Sequence, residues 1–174
     1  MEESTRDAAA TSGRLGTLHA RLRVGTSDLH AAIERALGPP DSVSSSRGYA
    51  DLLQRLYDIH SVVETRWGAP GWARARPPVL PTWGAGLGSL YVLEGSSIGG
   101  RVLGPAIRAA LGPVPTSFLD GAGRGEPHPW RSVARALARF EGDGGDGDEV
   151  LLGARQTFVA FGDHIAHTDL SDAR

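Results

Sequence analysis

The chain of 174 residues contains neither cysteine nor lysine. The absence of cysteine excludes disulfide bonds and thiolate metal ligands. All 18 basic residues are arginine, whose planar guanidinium group is suited to binding carboxylates. The formal net charge is -2, so the chain lacks the positive field typical of proteins that bind nucleic acids. We therefore expect no nucleic-acid partner.

Long apolar runs are also missing. No segment is apolar over the roughly 20 residues that a membrane-spanning helix requires, and the first seven residues, M-E-E-S-T-R-D, lack the apolar stretch of a signal peptide. We expect a cytoplasmic protein without a membrane partner. Residues 1–13 are small and polar, which predicts a disordered tail. Residues 14–174 are expected to form one domain, because this length suffices for a hydrophobic core.

Apolar residues recur at helical spacing along most of the chain, and no segment has the alternation of a strand. The pattern predicts helices over residues 15–37, from a capping serine cluster at 44–46 to 67, and over 84–111, 129–140 and 149–167. Gly104 and Pro105 fall inside the third helix and predict a kink or a restart there, because proline cannot donate a helical hydrogen bond. The fold class is therefore all-α, with helices layered around one core.

Two histidines are followed by a glutamate four residues later, His30 by Glu34 and His60 by Glu64. On a helix the two side chains of such a pair lie on one face. The carboxylate can accept the Nδ1–H of the imidazole, which leaves Nε2 free and makes it a better metal ligand. The same spacing also occurs in surface ion pairs and buried hydrogen bonds, so it does not rank His30 over His60.

The segment from Tyr91 to Gly104 contains four glycines within a helical pattern. Each glycine in a helix interior costs about 1 kcal/mol relative to alanine. Gly95 and Gly99 are four residues apart, so they leave one face of the helix without Cβ atoms. Either another helix packs closely on this face or a flat ligand lies against it, and the spacing leaves both interpretations open.

Two longer motifs carry a resemblance to a known family. Residues 90–102, L-Y-V-L-E-G-S-S-I-G-G-R-V, resemble the distal-helix motif of bacterial heme oxygenases, especially those associated with bacteriophytochromes. Residues 22–34, L-R-V-G-T-S-D-L-H-A-A-I-E, are similar to the proximal helix of that family. The resemblance implies a multi-helix fold in which heme lies between a proximal helix and a glycine-rich distal helix.

The resemblance also implies a role for individual residues. His30 would bind the heme iron through Nε2, and Glu34 would accept a hydrogen bond from its other nitrogen. Gly95 and Gly99 would lie against the distal face of the heme, and Ser96 stands where mammalian relatives have an aspartate that orders distal water. These three are the implied catalytic positions. The other implied heme contacts are Gly100 beside them, Thr26 one turn before His30, Phe158 on the apolar side, and Arg23, Arg131 and Arg135 near the propionates.

The implied activity is the oxidative cleavage of heme to biliverdin, CO and ferrous iron. Heme is then both cofactor and substrate, O₂ is the co-substrate, and electrons come from a donor such as a ferredoxin or a flavoprotein reductase. A bilin-accepting phytochrome is a further expected partner. The short segment between Trp67 and Gly84, together with Pro105, also permits an alternative, namely a heme-binding sensor or carrier without turnover.

A third possibility is a di-iron centre in place of heme. The residues available as its ligands are His60, Glu64, Glu94 and His164. Such centres typically use Glu-x-x-His pairs, and the chain contains none, so this hypothesis is the weakest of the three.

Overall fold

The structure is a computed structural model that describes residues 17–38, 43–65, 78–120 and 129–171. Its helices are α1 (Thr17–Gly25), α2 (Ser27–Leu37), α3 (Ser46–Thr65), α4 (Trp83–Leu111), α5 (Pro129–Gly142) and α6 (Gly147–Ser171). No described residue lies in a strand, so the all-α prediction is confirmed for this part of the chain. The predicted tail at 1–13 and most of the short segment between Trp67 and Gly84 lie outside the described residues.

Helix α6 is the element on which most of the others pack. It lies along α4 and also contacts α1, α2 and α3, whereas α5 packs on α4 and α1. The main core between these helices contains Leu18, Leu22, Leu87, Val92, Leu93, Val133, Leu137, Val150, Ala154, Phe158, Phe161 and Ile165. Tyr49, Ile107 and Leu119 form a second, smaller cluster that joins α3, α4 and the segment 112–120. Helix α4 therefore takes part in both clusters.

The predicted helix over residues 15–37 is divided into α1 and α2 at Thr26. The Thr26 backbone has φ -121° and ψ 2°, outside the helical range. Its side-chain hydroxyl donates to the Leu22 carbonyl at 2.8 Å, and its own carbonyl accepts from the amide of His30 at 2.9 Å. The prediction of a single helix is wrong, because the apolar spacing continues across a break that Thr26 introduces in the backbone.

The predicted helix over residues 84–111 is confirmed as α4, and of the two alternatives at Pro105, a kink or a restart, the restart is wrong, because α4 is one helix from Trp83 to Leu111. Gly104 is a packing position within it: a Cβ there would lie 2.7 Å from Oδ1 of Asp120. Beside it, Ile107 is fully buried. Packing of this kind usually contributes more to helix stability than intrinsic propensity does, which explains why the helix persists through the proline.

The helix ends agree with several sequence signals. Ser45 caps α3, since its hydroxyl accepts from the amide of Gly48 at 3.1 Å, and Thr82 caps α4 by accepting from Ala85 at 3.1 Å. Helix α4 ends at Gly112, which has φ 79°, a conformation that favours glycine. Among the described helices, none has an apolar stretch of the length that crossing a bilayer would require.

Candidate functional site

His30 lies on α2 with its imidazole largely exposed. Its Nδ1 is 3.5 Å from Oε2 of Glu34, and its side chain is 59% accessible to solvent. The edge of the ring packs on Phe158 of α6, with 5.8 Å between the ring centroids and 77° between the planes. Because Nδ1 is turned towards Glu34, Nε2 on the other side of the ring is the nitrogen available to a ligand.

His60 has a different environment. It is buried, with 6% exposure, and its ring packs edge-on against Phe118. Its Nε2 lies 3.2 Å from the hydroxyl of Ser96, and that hydroxyl donates to the Leu93 carbonyl at 2.6 Å. Nε2 of His60 is therefore engaged with Ser96 inside the protein, whereas the ring of His30 is exposed. Burial ranks His30 over His60, which the sequence spacing could not do.

The face of α4 formed by Gly95 and Gly99 is bare. A Cβ placed on Gly99 would meet no described atom within 4 Å, and one on Gly95 would meet only Trp130 of α5, at 3.9 Å. Of the two interpretations of this spacing, close packing of another helix does not apply to the described residues. This bare face leaves room for a flat ligand close to the backbone.

Gly100 and Ser96 point to another side of α4. Gly100 is buried, and a Cβ there would lie 2.8 Å from the carbonyl oxygen of Leu119 in the segment 112–120. The hydroxyl of Ser96 is engaged with Leu93 and His60. Gly100 thus allows the 112–120 segment to approach α4 and does not share the bare face of Gly95 and Gly99.

An aromatic cluster adjoins the bare face and was missed in the sequence. His19 of α1 and Tyr91 of α4 both pack against Trp130, each with 5.6 Å between centroids, and against each other at 5.9 Å. Burial raises the pKa of Tyr91, and the nearby Arg23 guanidinium opposes that shift. The available sequence signal was that Tyr91 precedes Gly95 by four residues and so lies near the same face.

The three arginines assigned to the propionates are exposed on two helices. Arg23 is on α1, near Tyr91. Arg131 and Arg135 are on α5, where Arg131 follows Trp130 directly and Arg135 donates a long bond of 3.4 Å to Ser132. Arg23 and Arg131 therefore lie on α1 and α5, the helices that also carry His19 and Trp130 of the aromatic cluster.

Thr26 and Phe158 have structural contacts in addition to their proximity to His30. Thr26 is buried, and its hydroxyl is committed to the Leu22 carbonyl. Phe158 is buried in the main core and presents its ring to the imidazole of His30. Thr26 therefore shapes the start of α2, whereas Phe158 forms an apolar wall beside the candidate ligand.

Arg155 is a second residue that the sequence analysis missed. From α6 it donates to the Gly25 carbonyl, and its two terminal nitrogens bind the two carboxylate oxygens of Asp28 at 3.0 and 3.1 Å. This hydrogen bonding lowers the pKa of Asp28. The only sequence signal was the position of Arg155, three residues before Phe158 and hence on a neighbouring part of the same helix face.

Within the described side chains, no three histidine, aspartate or glutamate groups converge as a metal cluster would require. The di-iron hypothesis therefore has no support in them, and the side chain of Glu64 lies outside the described set. A heme iron needs only one protein ligand of the kind that His30 offers.

Comparison with known proteins does not assign the chain to a family. No family model matches the chain, and no curated protein or solved structure matches it either. The function must therefore be inferred from the residues and their arrangement.

Proposed function

We propose that this chain has a heme oxygenase-like fold and is a heme oxygenase that cleaves heme to biliverdin, CO and ferrous iron. The observation that carries the proposal is the state of His30. It is an exposed imidazole with Nδ1 beside a glutamate, on a helix that packs on α6 together with the bare glycine helix α4.

Two features of the chain suit a heme, the imidazole of His30 and the face of α4 without Cβ atoms. A single imidazole nitrogen is a sufficient protein ligand for the iron, and a flat macrocycle can approach a helix face that lacks Cβ atoms. Gly99 provides such a position, since nothing lies within 4 Å of where its Cβ would be. Arg23 and Arg131 are exposed cations near this region and suit the two carboxylates of a heme.

The residues divide the work of the reaction among them. When bound, heme supplies the iron that activates O₂ and the ring that is oxidised. Glu34 orients the imidazole of His30 and increases its basicity as a ligand. Phe158 keeps water from one side of that imidazole. Gly95 and Gly99 leave room for O₂ close to the backbone, and His60 holds Ser96 in place from α3.

The reaction needs partners that the chain itself does not supply. Its electrons would come from a donor such as a ferredoxin or a flavoprotein reductase, because the chain has no cysteine with which to hold an iron–sulfur cluster of its own. A phytochrome that accepts the bilin product is the partner that the motif resemblance suggests.

The experiment is a hemin titration of the purified protein, followed by addition of a reductant under air. We expect a Soret band with histidine ligation, and then a bilin spectrum with release of CO. His30→Ala should weaken hemin binding at least tenfold, because removing even a group that orients a metal ligand typically costs about 10- to 100-fold in affinity.

His60→Gln is the matched control, because His60 has the same sequence spacing but a buried ring. This variant should keep the histidine-ligated spectrum even if it is less stable. An unchanged spectrum in His30→Ala would refute the ligand assignment. Tight hemin binding without bilin or CO would instead identify a heme sensor or carrier.

A further inference from the structure

We infer that Arg155 is a positioning residue for His30: it fixes the break between α1 and α2 on α6 and so sets the direction in which the imidazole projects. The inference rests on the proposed function, in which His30 is the heme ligand. Arg155 itself would touch neither the heme nor the reacting atoms.

Arg155 makes two contacts, and the first is with the end of α1. Arg155 donates to the carbonyl of Gly25, the last residue of α1. Gly25 also lies directly on α6, since a Cβ there would come within 2.7 Å of Cδ1 of Leu151. The end of α1 is therefore held by a hydrogen bond and by a contact that only glycine permits without a shift of that leucine side chain.

The second contact is with the start of α2. Asp28 is in the first turn of this helix, two residues before His30, and both of its carboxylate oxygens accept from Arg155. A guanidinium group that binds a carboxylate through two parallel hydrogen bonds restricts orientation as well as distance. Three residues further along α6, Phe158 contacts the imidazole of His30.

One face of α6 therefore contacts the chain at three successive residues around the start of α2, namely Gly25, Asp28 and His30. Without Arg155, Thr26 would still end α1 and the apolar contacts of α2 with α6 would remain, but the two-bond contact that sets the start of α2 would be lost. An exposed ion pair adds little to global stability. We therefore expect the loss of Arg155 to change the orientation of α2 more than the stability of the fold.

The chain offers a matched control in Arg108 and Asp120. This pair has a nitrogen–oxygen distance of 3.0 Å, as does one contact of Arg155 with Asp28. The two arginine side chains are equally exposed, at 42% and 41%. Arg108 and Asp120 join α4 to the segment 112–120, so breaking this pair should leave α2 in place.

The test compares Arg155→Met, Arg155→Lys, Asp28→Asn and Arg108→Met without heme. The measurements are the ¹H–¹³C NMR signals of the His30 imidazole at one fixed pH, which report the ring current of Phe158, and the exchange of amide hydrogens in the first turn of α2. We expect Arg155→Met and Asp28→Asn to move the imidazole signals towards those of an unstructured histidine and to accelerate exchange about tenfold.

Arg108→Met should change neither measurement, and Arg155→Lys should give an intermediate result, because lysine retains the charge but not the fork. If Arg155→Met fails to fold, Asp28→Asn decides, since asparagine has nearly the same shape as aspartate. Imidazole signals and exchange rates that match those of the wild type in every folded variant would overturn the inference.

A hemin titration adds a second measurement. Arg155→Met should weaken hemin binding about tenfold, the low end of the range for groups that orient a metal ligand, with partial recovery in Arg155→Lys. If wild-type hemin binding proves independent of His30, the proposed function fails, while the NMR comparison still decides whether Arg155 positions α2.

Discussion

Glycines occur in both halves of α4, but their surroundings differ. In the first half, a Cβ on Gly88 would overlap the carbonyl oxygen of Val150 and lie 2.6 Å from the amide nitrogen of Ala154. From the other side, a Cβ on Gly153 of α6 would lie 2.6 Å from the carbonyl carbon of Ala85. In the second half, the corresponding space at Gly99 is open.

The two halves show that the same residue type serves two different purposes in one helix. In the first half, Gly88 allows two helix backbones to touch, and the packing around it compensates for the weak helix propensity of about 1 kcal/mol that a glycine brings. At Gly99 the described residues provide no such compensation. The open space at Gly99, beside the Trp130 contact of Gly95, leaves room for another molecule to approach the backbone.

The largest expected effect lies in the first half. Gly88→Ala should destabilise the protein by about 3 kcal/mol, because the added methyl group meets backbone atoms of α6 that cannot turn aside. Urea unfolding measures the change. Gly86→Ala is the control, since a Cβ at Gly86 would meet nothing within 4 Å. An equal effect in both variants would show that the contact between α4 and α6 is looser than described.

For Gly99, in the second half of α4, we expect the reverse: little change in stability but weaker ligand binding. Gly99→Leu should leave the free energy of unfolding within about 1 kcal/mol of the wild type, because the side chain enters open space and leucine favours a helix over glycine. It should nevertheless weaken hemin binding, by about tenfold or more, because the side chain fills the bare face. Hemin titration of the folded variant measures this, with Gly86→Leu as the control.

If Gly99→Leu lowers stability but binds hemin normally, the bare face has no role as a heme-binding surface. That result would also remove the distinction between the two halves of α4, since the glycines of both would then serve only the fold.

The smallest expected effect is a pH dependence of stability at Asp120, in the segment that a third group of glycines faces. Gly100 and Gly104 face the segment 112–120, which is tied to α4 by the ion pair of Asp120 with Arg108; Asp120 also accepts a hydrogen bond from Thr116 within the segment. The hydrogen bond from Thr116, and then Arg108, lower the pKa of Asp120 below its ordinary value of 3.8.

Because the pKa of Asp120 is lowered on folding, its stabilising contribution is present above 3.8 and is lost as the pH falls through the lower, folded value. We expect the wild type to lose a little stability between about pH 5 and pH 3 that Asp120→Asn does not lose. Urea midpoints at both pH values, compared between the two proteins, give the difference. Identical losses would exclude Asp120 as a contributor.

Much of the helical architecture could be predicted from apolar spacing, which follows directly from the helix period. The break at Thr26 could not, because Leu22 and Leu29 keep that spacing across it, and a threonine is compatible with either backbone. The choice between a continuous helix and a restart at Pro105 could not be made from the sequence either, since it depends on the tertiary contacts of Gly104 and Ile107.

The candidate site was likewise predictable only in part from the sequence. The pairing of His30 with Glu34 was visible as a spacing, but its advantage over His60 is a matter of burial, which no local pattern records. Gly88 and Gly99 look alike in the sequence. What separates them is the approach of Val150, a residue that lies two helices further along the chain.

The shared support on α6 has a consequence for how the site would admit a ligand. Helix α4 touches α6 backbone to backbone at Gly88 and Gly153, so closely that neither position has room for a Cβ atom. Helix α2 is held on the same support through side chains, with the fork of Arg155 on Asp28 and the ring of Phe158 on His30. We therefore expect any adjustment to a bound ligand to take place in α2, where side-chain contacts can shift, while the backbone of α4 stays fixed on α6.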